Sequence, residues 1–477
     1  MDKYIYLFQT KEEFKNERNN NYAEPWISYT EEGKKVDYNK PDYNTVPFTI
    51  EVLGDGTISW NLDDLTLQYS KNGGDWTTMD STTTISVVAG DEVALKGNNS
   101  QYADTKHGSP RAYQLTVTTQ FVVKGNIMSL VGDDNFKTSN TLEQYCFYSL
   151  FYNNMYLISA DELKLPATEL GNSCYNAMFD GCTNLKAGPK ELPATILANS
   201  CYGGMFNGCR NLTQAPMLSA TTFAGGCCQY MFQNCTSLIA APVLHATTLE
   251  SYCCMSMFEG CTNLTTVPDL VATTLGSGCY SGMFKNCTNL TTAPKILATT
   301  LASSCCSQMF QGCSRLTSAP ELSATTLANS CYNEMFKNCI ALKTVPSVLP
   351  ATTLTNNCYK SMFEGCTSLT NAPEIPATTL AAMCCDRMFT GCSNLVTAPE
   401  LLSESLQYNC YNYMFSGCTK LSRIKALFTT APSSSFTNQW VENVAATGTF
   451  IKNSAADWDV TGDDGIPSGW TVETASA

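Results

Sequence analysis

A Met-Phe pair recurs at Met178, Met205, Met231, Met257, Met283, Met309, Met335, Met362, Met388 and Met414, at intervals of 26 residues with two of 27. A chain that repeats at a fixed period of roughly 20 to 50 residues builds one supersecondary unit per period and buries its core by stacking neighbours. Such a chain folds as a solenoid or a propeller. A degenerate copy precedes the series, with Leu150-Phe151 in the Met-Phe slot and Leu157 after it. We therefore expect about 11 coils of 26–27 residues, from about Leu142 to about Phe428. At roughly 5 Å per coil the array would be about 50 Å long.

The period lies in the range of leucine-rich repeats. Within one coil, Leu264 to Cys287, the apolar residues follow two spacings. Leu264, Val267 and Leu270 fall three apart, which suits a short extended segment. Leu275, Cys279, Met283 and Cys287 fall four apart, which places them on one face of a helix or irregular helical turn, with Phe284 beside them. The residue before the second cysteine is always Gly or Asn: Gly181, Gly208, Asn234, Gly260, Asn286, Gly312, Asn338, Gly365, Gly391 and Gly417. These two types enter the left-handed conformation most cheaply, so the position reads as a helix C-cap. A proline follows the leucine by four, as at Pro189, Pro268 and Pro373. Its missing N–H should interrupt any continuous ladder. The two end coils carry Asp161 and Lys425 there instead, the kind of atypical repeat that closes an open core.

All 25 cysteines lie in the repeats. Ten coils hold a pair eight apart, such as Cys279 and Cys287; Cys146 belongs to the degenerate coil; Cys228, Cys254, Cys306 and Cys385 directly follow a first cysteine. Eight residues along a helical face span roughly 12 Å, too far for a disulfide within a coil. The close ligand pairs of a zinc site are missing, so no metal is expected. Stacked coils bring thiols of one column near each other, but an odd total and uniform spacing argue against a defined disulfide framework. The cysteines read as small buried hydrophobes in ladders, nearly all free, in a chain folded in a reducing compartment. The position after the first cysteine, from Tyr175 to Tyr411, is always Tyr or Cys, which suggests a partly buried site of variable volume.

The fold expected is multidomain. Residues 46–125 alternate apolar and polar, as in Phe48, Ile50 and Val52, then Gly54-Asp55-Gly56, then Ile58 and Trp60, which predicts an antiparallel β-sandwich of immunoglobulin-like kind. Residues 1–45 read as an attachment segment with a hairpin around Glu31-Glu32-Gly33, residues 126–428 as the solenoid and residues 429–477 as a small β cap. The formal charge of −14 sits on the flanks: residues 1–140 carry 20 acids and 13 bases, 141–428 carry 16 and 14, and 429–477 carry 6 and 1. With no basic stripe to neutralise phosphates, nucleic acid and anionic membrane are not expected as partners. The N-terminus runs quickly into charge and lacks a secretory h-region, and no stretch of about 18 apolar residues occurs, so membrane insertion is not expected. The chain should stay in the cytoplasm or leave by a route other than the usual signal.

Catalytic chemistry finds little support. His107 falls in a loop of the β domain and His245 in a variable slot before Ala-Thr-Thr, and neither has the surroundings of a general base. Nucleophile-elbow, phosphate-loop and zincin motifs are absent. Asp133-Asp134 reads as a solvated turn. The run Asp457-x-Asp459-x-Thr461-Gly462 begins like a calcium loop, but Ser468 stands where the bidentate Glu is needed. No catalytic residue and no cofactor is assigned. The binding candidates are the residues just after each proline, which vary while their neighbours do not: Met217, Val243, Asp269, Lys295, Glu321, Ser347, Glu374 and Glu400. Abundant Asn, Thr and Tyr suit glycans or wet protein surfaces.

The unit MFEGCTNLTTVPDLVATTL resembles the BspA-like leucine-rich repeat, whose core is an aromatic, then Cys, then Leu three residues on. The resemblance spans residues 142–428, with a longer period and Met-Phe where the family has Ala-Phe. Segments such as EPWISYTEEGKKVDYNK, LQYSKNGGDWTT and GIPSGWTV are similar to those around such repeats in gut-bacterial surface proteins and proteins of their phages. The resemblance implies adhesion without catalysis. The leading expectation is a phage virion protein, a fibre or a capsid or tail decoration assembled in the host cytoplasm. Its N-terminal region would contact other virion proteins and its solenoid would meet a bacterial surface glycan or protein. The alternative is a bacterial cell-surface adhesin that binds host proteins or glycans. A homo-oligomer is compatible with either, although no heptad pattern specifies one.

Overall fold

The computed structural model describes residues 41–475 apart from 63–64, 106–109 and 114, together with two strands, Ile27–Tyr29 and Lys35–Asp37. Those strands pair antiparallel, with Ser28 opposite Val36. The turn at Glu31-Glu32-Gly33, the remainder of residues 1–40 and His107 lie outside the described residues.

The segment from Gly278 to Cys287 is built by two alternating hydrogen bonds. The N–H groups of Gly278, Tyr280, Gly282, Phe284 and Asn286 donate to Ser303, Cys305, Ser307, Met309 and Gln311 of the next coil at 2.7–2.9 Å. Those of Cys279, Ser281, Met283, Lys285 and Cys287 donate to the carbonyl three residues back at 3.0–3.3 Å. Gly278, Gly282 and Asn286 have φ of +61°, +62° and +59°. A left-handed residue at every fourth position ends each turn and re-aims the chain, so the segment is a string of tight turns. The expected helical face is thus corrected: apolar side chains do recur every four residues, but the period comes from turns. The Gly/Asn positions have positive φ, from +59° at Asn234 to +75° at Gly312, and close the third turn of a coil with no helix to cap. Among the described residues the single α-helical stretch is Ser129–Gly132.

Inside the coils, eleven phenylalanines from Phe151 to Phe415 stack with centroids 5.2–5.8 Å apart and planes within 1–11°. Offset stacks of this kind add about 0.5–1.5 kcal/mol per pair beyond the area buried. Columns of Leu, Met and Cys run beside them, buried throughout. The second cysteine of each of ten coils donates its S–H to the phenylalanine carbonyl of the preceding coil at 3.0–3.1 Å, as Cys287 does to Phe258. A valine or alanine would fill space there but leave that lone pair without a donor.

Proline governs the extended side. Coils that carry it form two-residue strands or single bridges, such as Thr274–Leu275 and Thr292 with Ser318. The two coils without it form longer strands, Leu157–Lys164 and Arg423–Ala426. The first of these opens the array against the N-terminal sheet, but the second does not end it. Arg423–Ala426 pairs in parallel with Thr449–Lys452, which pairs with Thr471–Thr474. Tyr411, Tyr413, Phe415 and Gly417 donate to Phe436, Asn438, Trp440 and Glu442 as in any interior coil. The solenoid therefore has about thirteen turns and continues beyond Phe428 through the segment expected to be a separate cap. Trp440 closes the ring stack 6.0 Å from Phe415, and Trp458 stacks on Phe428 at 5.3 Å.

At the other end, a six-stranded sheet and a three-stranded sheet share an apolar core that includes Ile50, Ile58, Trp60, Val93 and Leu115. The sheets are not purely antiparallel as expected. Leu157–Lys164, from the first coil, adds in parallel to Phe121–Asn126 and makes solenoid and domain one hydrogen-bonded structure. Phe48 sits 6.3 Å from Phe151, and Trp60, Tyr102, Phe147, Tyr175 and Tyr202 stack in sequence at 5.2–5.9 Å. The open core is thus closed at both ends by aromatic rings from outside the regular repeats.

In the Gly/Asn column, no two asparagines occupy adjacent coils. A Cβ built on Gly312 would stand 2.2 Å from Asn286 Oδ1, whereas one on Gly391 meets nothing nearer than Gly365 Cα at 3.9 Å. Gly312→Asn should therefore cost about 1–3 kcal/mol through overpacking, while Gly391→Asn should stay within about 1 kcal/mol of the parent. Equilibrium urea unfolding of the two variants distinguishes a column set by φ alone, in which they would behave alike.

Candidate binding surface

The eight residues after the prolines are all exposed, Met217 at 60% and Val243 at 51%. They form a column along the extended side, one per coil. Within it the Lys295 N–H donates to Asp269 Oδ1 at 3.0 Å, and Lys425 Nζ from the next unit reaches Glu400 Oε2 at 2.8 Å. Exposed pairs of this kind contribute about 0–1 kcal/mol. They shape the charge of the face more than they hold it. From Glu321 to Glu400 the column reads Glu, Ser, Glu, Glu, so its C-terminal half is acidic.

Four or five residues further along, in seven of these coils, stands an exposed Thr-Thr pair: Thr221-Thr222, Thr247-Thr248, Thr273-Thr274, Thr299-Thr300, Thr325-Thr326, Thr352-Thr353 and Thr378-Thr379. Parallel bridges link the second threonines, as between Thr300 and Thr326. A constant hydroxyl and methyl ladder therefore runs beside a variable column. β-Branched residues suit this half-exposed extended segment. His245 is exposed on the same side.

The cysteines offer no reactive site. All 25 are buried and free. Burial pushes the Cys174, Cys182, Cys261, Cys313 and Cys392 thiols up to about 12. The Tyr/Cys position is wholly buried, Tyr202 at 1% and Cys254 at 0%, which corrects the expectation of partial burial. Among the described residues no group of three or more His, Cys, Asp or Glu is placed to hold a metal ion, and Asp457 and Asp459 are exposed. No described helix is long and apolar enough to cross a membrane.

A feature without a sequence motif lies on the turn side. A cavity of about 800 Å³ spans the first four coils and the N-terminal domain, between Tyr148, Tyr152 and Tyr230, with Ala112 and Leu115 on its domain side. It exists because Ala177, Gly203 and Gly204 stand where later coils carry Gln308, Glu334, Lys360 or Arg387. Its signal in the sequence is a lack of bulk at register positions, readable only once coils are aligned.

The family model of the BspA type leucine-rich repeat region, in six copies, matches residues 137–291, 247–370 and 350–455, more than half of the chain. The chain belongs to the BspA type of leucine-rich repeat proteins. Among curated proteins none matches the sequence significantly. Similar solved structures include a leucine-rich cell-surface protein of Faecalibacterium prausnitzii (17% identity, TM-score 0.32, covering 69% of this chain and 88% of that one). A leucine-rich repeat protein of Bacteroides ovatus is 16% identical, with a TM-score of 0.32 and coverage of 78% and 97%. An internalin of Listeria monocytogenes is 11% identical, with a TM-score of 0.21 and coverage of 64% and 80%.

The thiol columns of this BspA-type protein make its stability pH-dependent. A folded thiol held near 12 stays protonated while the same thiol in the unfolded chain ionises near its ordinary value of 9.0. Its contribution is fully present below pH 9 and is lost between pH 9 and 12, at about 1.4 kcal/mol per pH unit per thiol. The urea midpoint should be level from pH 7 to 8.5 and fall steeply above 9. Replacing Cys182, Cys261 and Cys313 with Ala should lower it at pH 7 and flatten the alkaline fall; an unchanged alkaline slope would contradict the assignment.

Proposed function

We propose that this BspA-type protein is an adhesin of the bacterial cell surface that holds the extended side of its solenoid against a protein or glycan partner and has no catalytic activity. The observation that carries this reading is the juxtaposition of two columns, a Thr-Thr ladder constant over seven coils and beside it a column whose chemistry changes from Met217 to Glu400. A scaffold that keeps its shape while varying one outward position per coil is how repeat proteins encode recognition. The N-terminal sheets, read as an immunoglobulin-like domain, serve as the support on which the first coil is hydrogen-bonded.

The virion reading drew on the reduced thiols, which suit assembly in a host cytoplasm. Every one of them is buried, so an exported chain keeps them reduced equally well, and that support falls away. The adhesin reading, which the family resemblance implies, is the stronger.

Beads coated with the full chain should bind intact bacterial or epithelial cells, and protease or periodate treatment of the cells tells a protein partner from a glycan. The variant Glu321→Lys/Glu374→Lys/Glu400→Lys reverses the acidic half of the column at exposed positions. It should reduce binding about tenfold or more with an unchanged thermal midpoint. Equal binding by the variant, or no binding by either protein, would overturn the proposal.

A further inference from the structure

The turn side of the later coils is filled by long side chains that pair between coils. Lys337 reaches Glu364 at 3.2 Å, Lys360 reaches Asp386 at 3.2 Å, Gln308 donates to Glu334 at 2.8 Å and Arg387 lies over the Tyr413 ring at 4.7 Å. The same three register columns in the first four coils have a different composition. One carries Tyr148, Asn176, Gly203 and Gln229; the second Ser149, Ala177, Gly204 and Tyr230; the third Tyr152, Asp180, Asn207 and Gln233. Charged pairs are replaced by amides, tyrosines and missing side chains. The result is the cavity of about 800 Å³, within the range of about 300–1,000 Å³ common for small-molecule sites.

Its lining narrows the ligand. Among the described residues that line it there is no Lys or Arg to give a phosphate or carboxylate a counter-charge. Amides and hydroxyls dominate, which disfavours a hydrocarbon chain. Asn207 donates through Nδ2 to Asp180 at 3.2 Å, while its Oδ1 is buried with no partner among the described residues. A buried acceptor of that kind wants a hydroxyl or amide donor. Burial raises the Asp180 carboxyl above its ordinary range, with the Asn207 amide opposing the shift. Tyr152 is 53% exposed at the cavity and offers a ring face to C–H groups.

We propose that this cavity is a second binding site, for a short neutral saccharide, with Tyr148, Tyr152 and Tyr230 packing on sugar rings and Asn176, Asn207 and Gln229 bonding their hydroxyls. It is separate from the extended-side column and does not depend on it. The N-terminal domain contributes a wall, so the site exists only where solenoid and domain meet.

Isothermal titration calorimetry of the full chain against cellotriose, maltotriose, xylotriose and N,N′,N″-triacetylchitotriose tests it, with inorganic phosphate as the charged control. The expected result is saturable one-to-one binding of at least one trisaccharide and none of phosphate. Gly204→Gln places in the cavity the side chain that Gln308 carries four coils later, at a position whose built Cβ has no neighbour nearer than 4.0 Å. It should weaken binding about tenfold or more, as should the exposed change Tyr152→Ala, which keeps the test usable if Gly204→Gln disturbs folding. Glu374→Lys should leave saccharide affinity unchanged, which separates this site from the extended-side reading. No trisaccharide binding, or full affinity in both cavity variants, would overturn the proposal.

Discussion

Every second N–H of the turn segment has its acceptor in the following coil. That single constraint organises the molecule. A coil on its own would leave five such donors per turn segment without partners, at a cost of about 1–3 kcal/mol for each one buried. Coils must therefore form together, and the last cysteine-bearing coil must be met by further turns that supply carbonyls in the same register. Residues 435–442 do so for the coil of Cys410 and Cys418, and the parallel pairing of Phe121–Asn126 with Leu157–Lys164 anchors the first. The ring stack from Phe48 to Trp440 follows the same axis and makes the coupling apolar as well as polar.

Reduced cysteine suits this geometry for a reason beyond size. Its thiol is small enough to stack from coil to coil and still donates to the phenylalanine carbonyl before it. The thiols of these columns are all buried, which shields them in the folded state. The extended side is relieved of structural duty by the prolines, which already break its ladder. Residues there are free to vary, and this is where recognition is placed.

The repeat period, the Gly/Asn column, the buried thiols and the exposure of Met217 to Glu400 were all legible in the sequence, because each is a residue type held or changed at fixed register. The tight turns were not. Of the three left-handed positions per coil, only the third is restricted to Gly and Asn. The second admits Tyr230, Glu334 and Arg387, whose side chains point to solvent or pair between coils, so composition there carries no conformational mark. The last coils carry no such motif because Trp440 and Val441 stand where Met-Phe would be and Val444 where the second cysteine would be, which preserves the packing while erasing the pattern. The saccharide cavity is written in missing side chains, and absence at Gly203 and Gly204 has meaning only against the filled columns of later coils.

Hydrogen exchange read by mass spectrometry on Phe284→Ala, compared with the parent chain, tests the coupling between coils most directly. Protection should fall in the mutated coil and also in the flanking turn segments 253–261 and 305–313, because their amides and rings depend on it. Loss of protection confined to residues 278–287, with both neighbours unchanged, would contradict the claim that the coils hold one another.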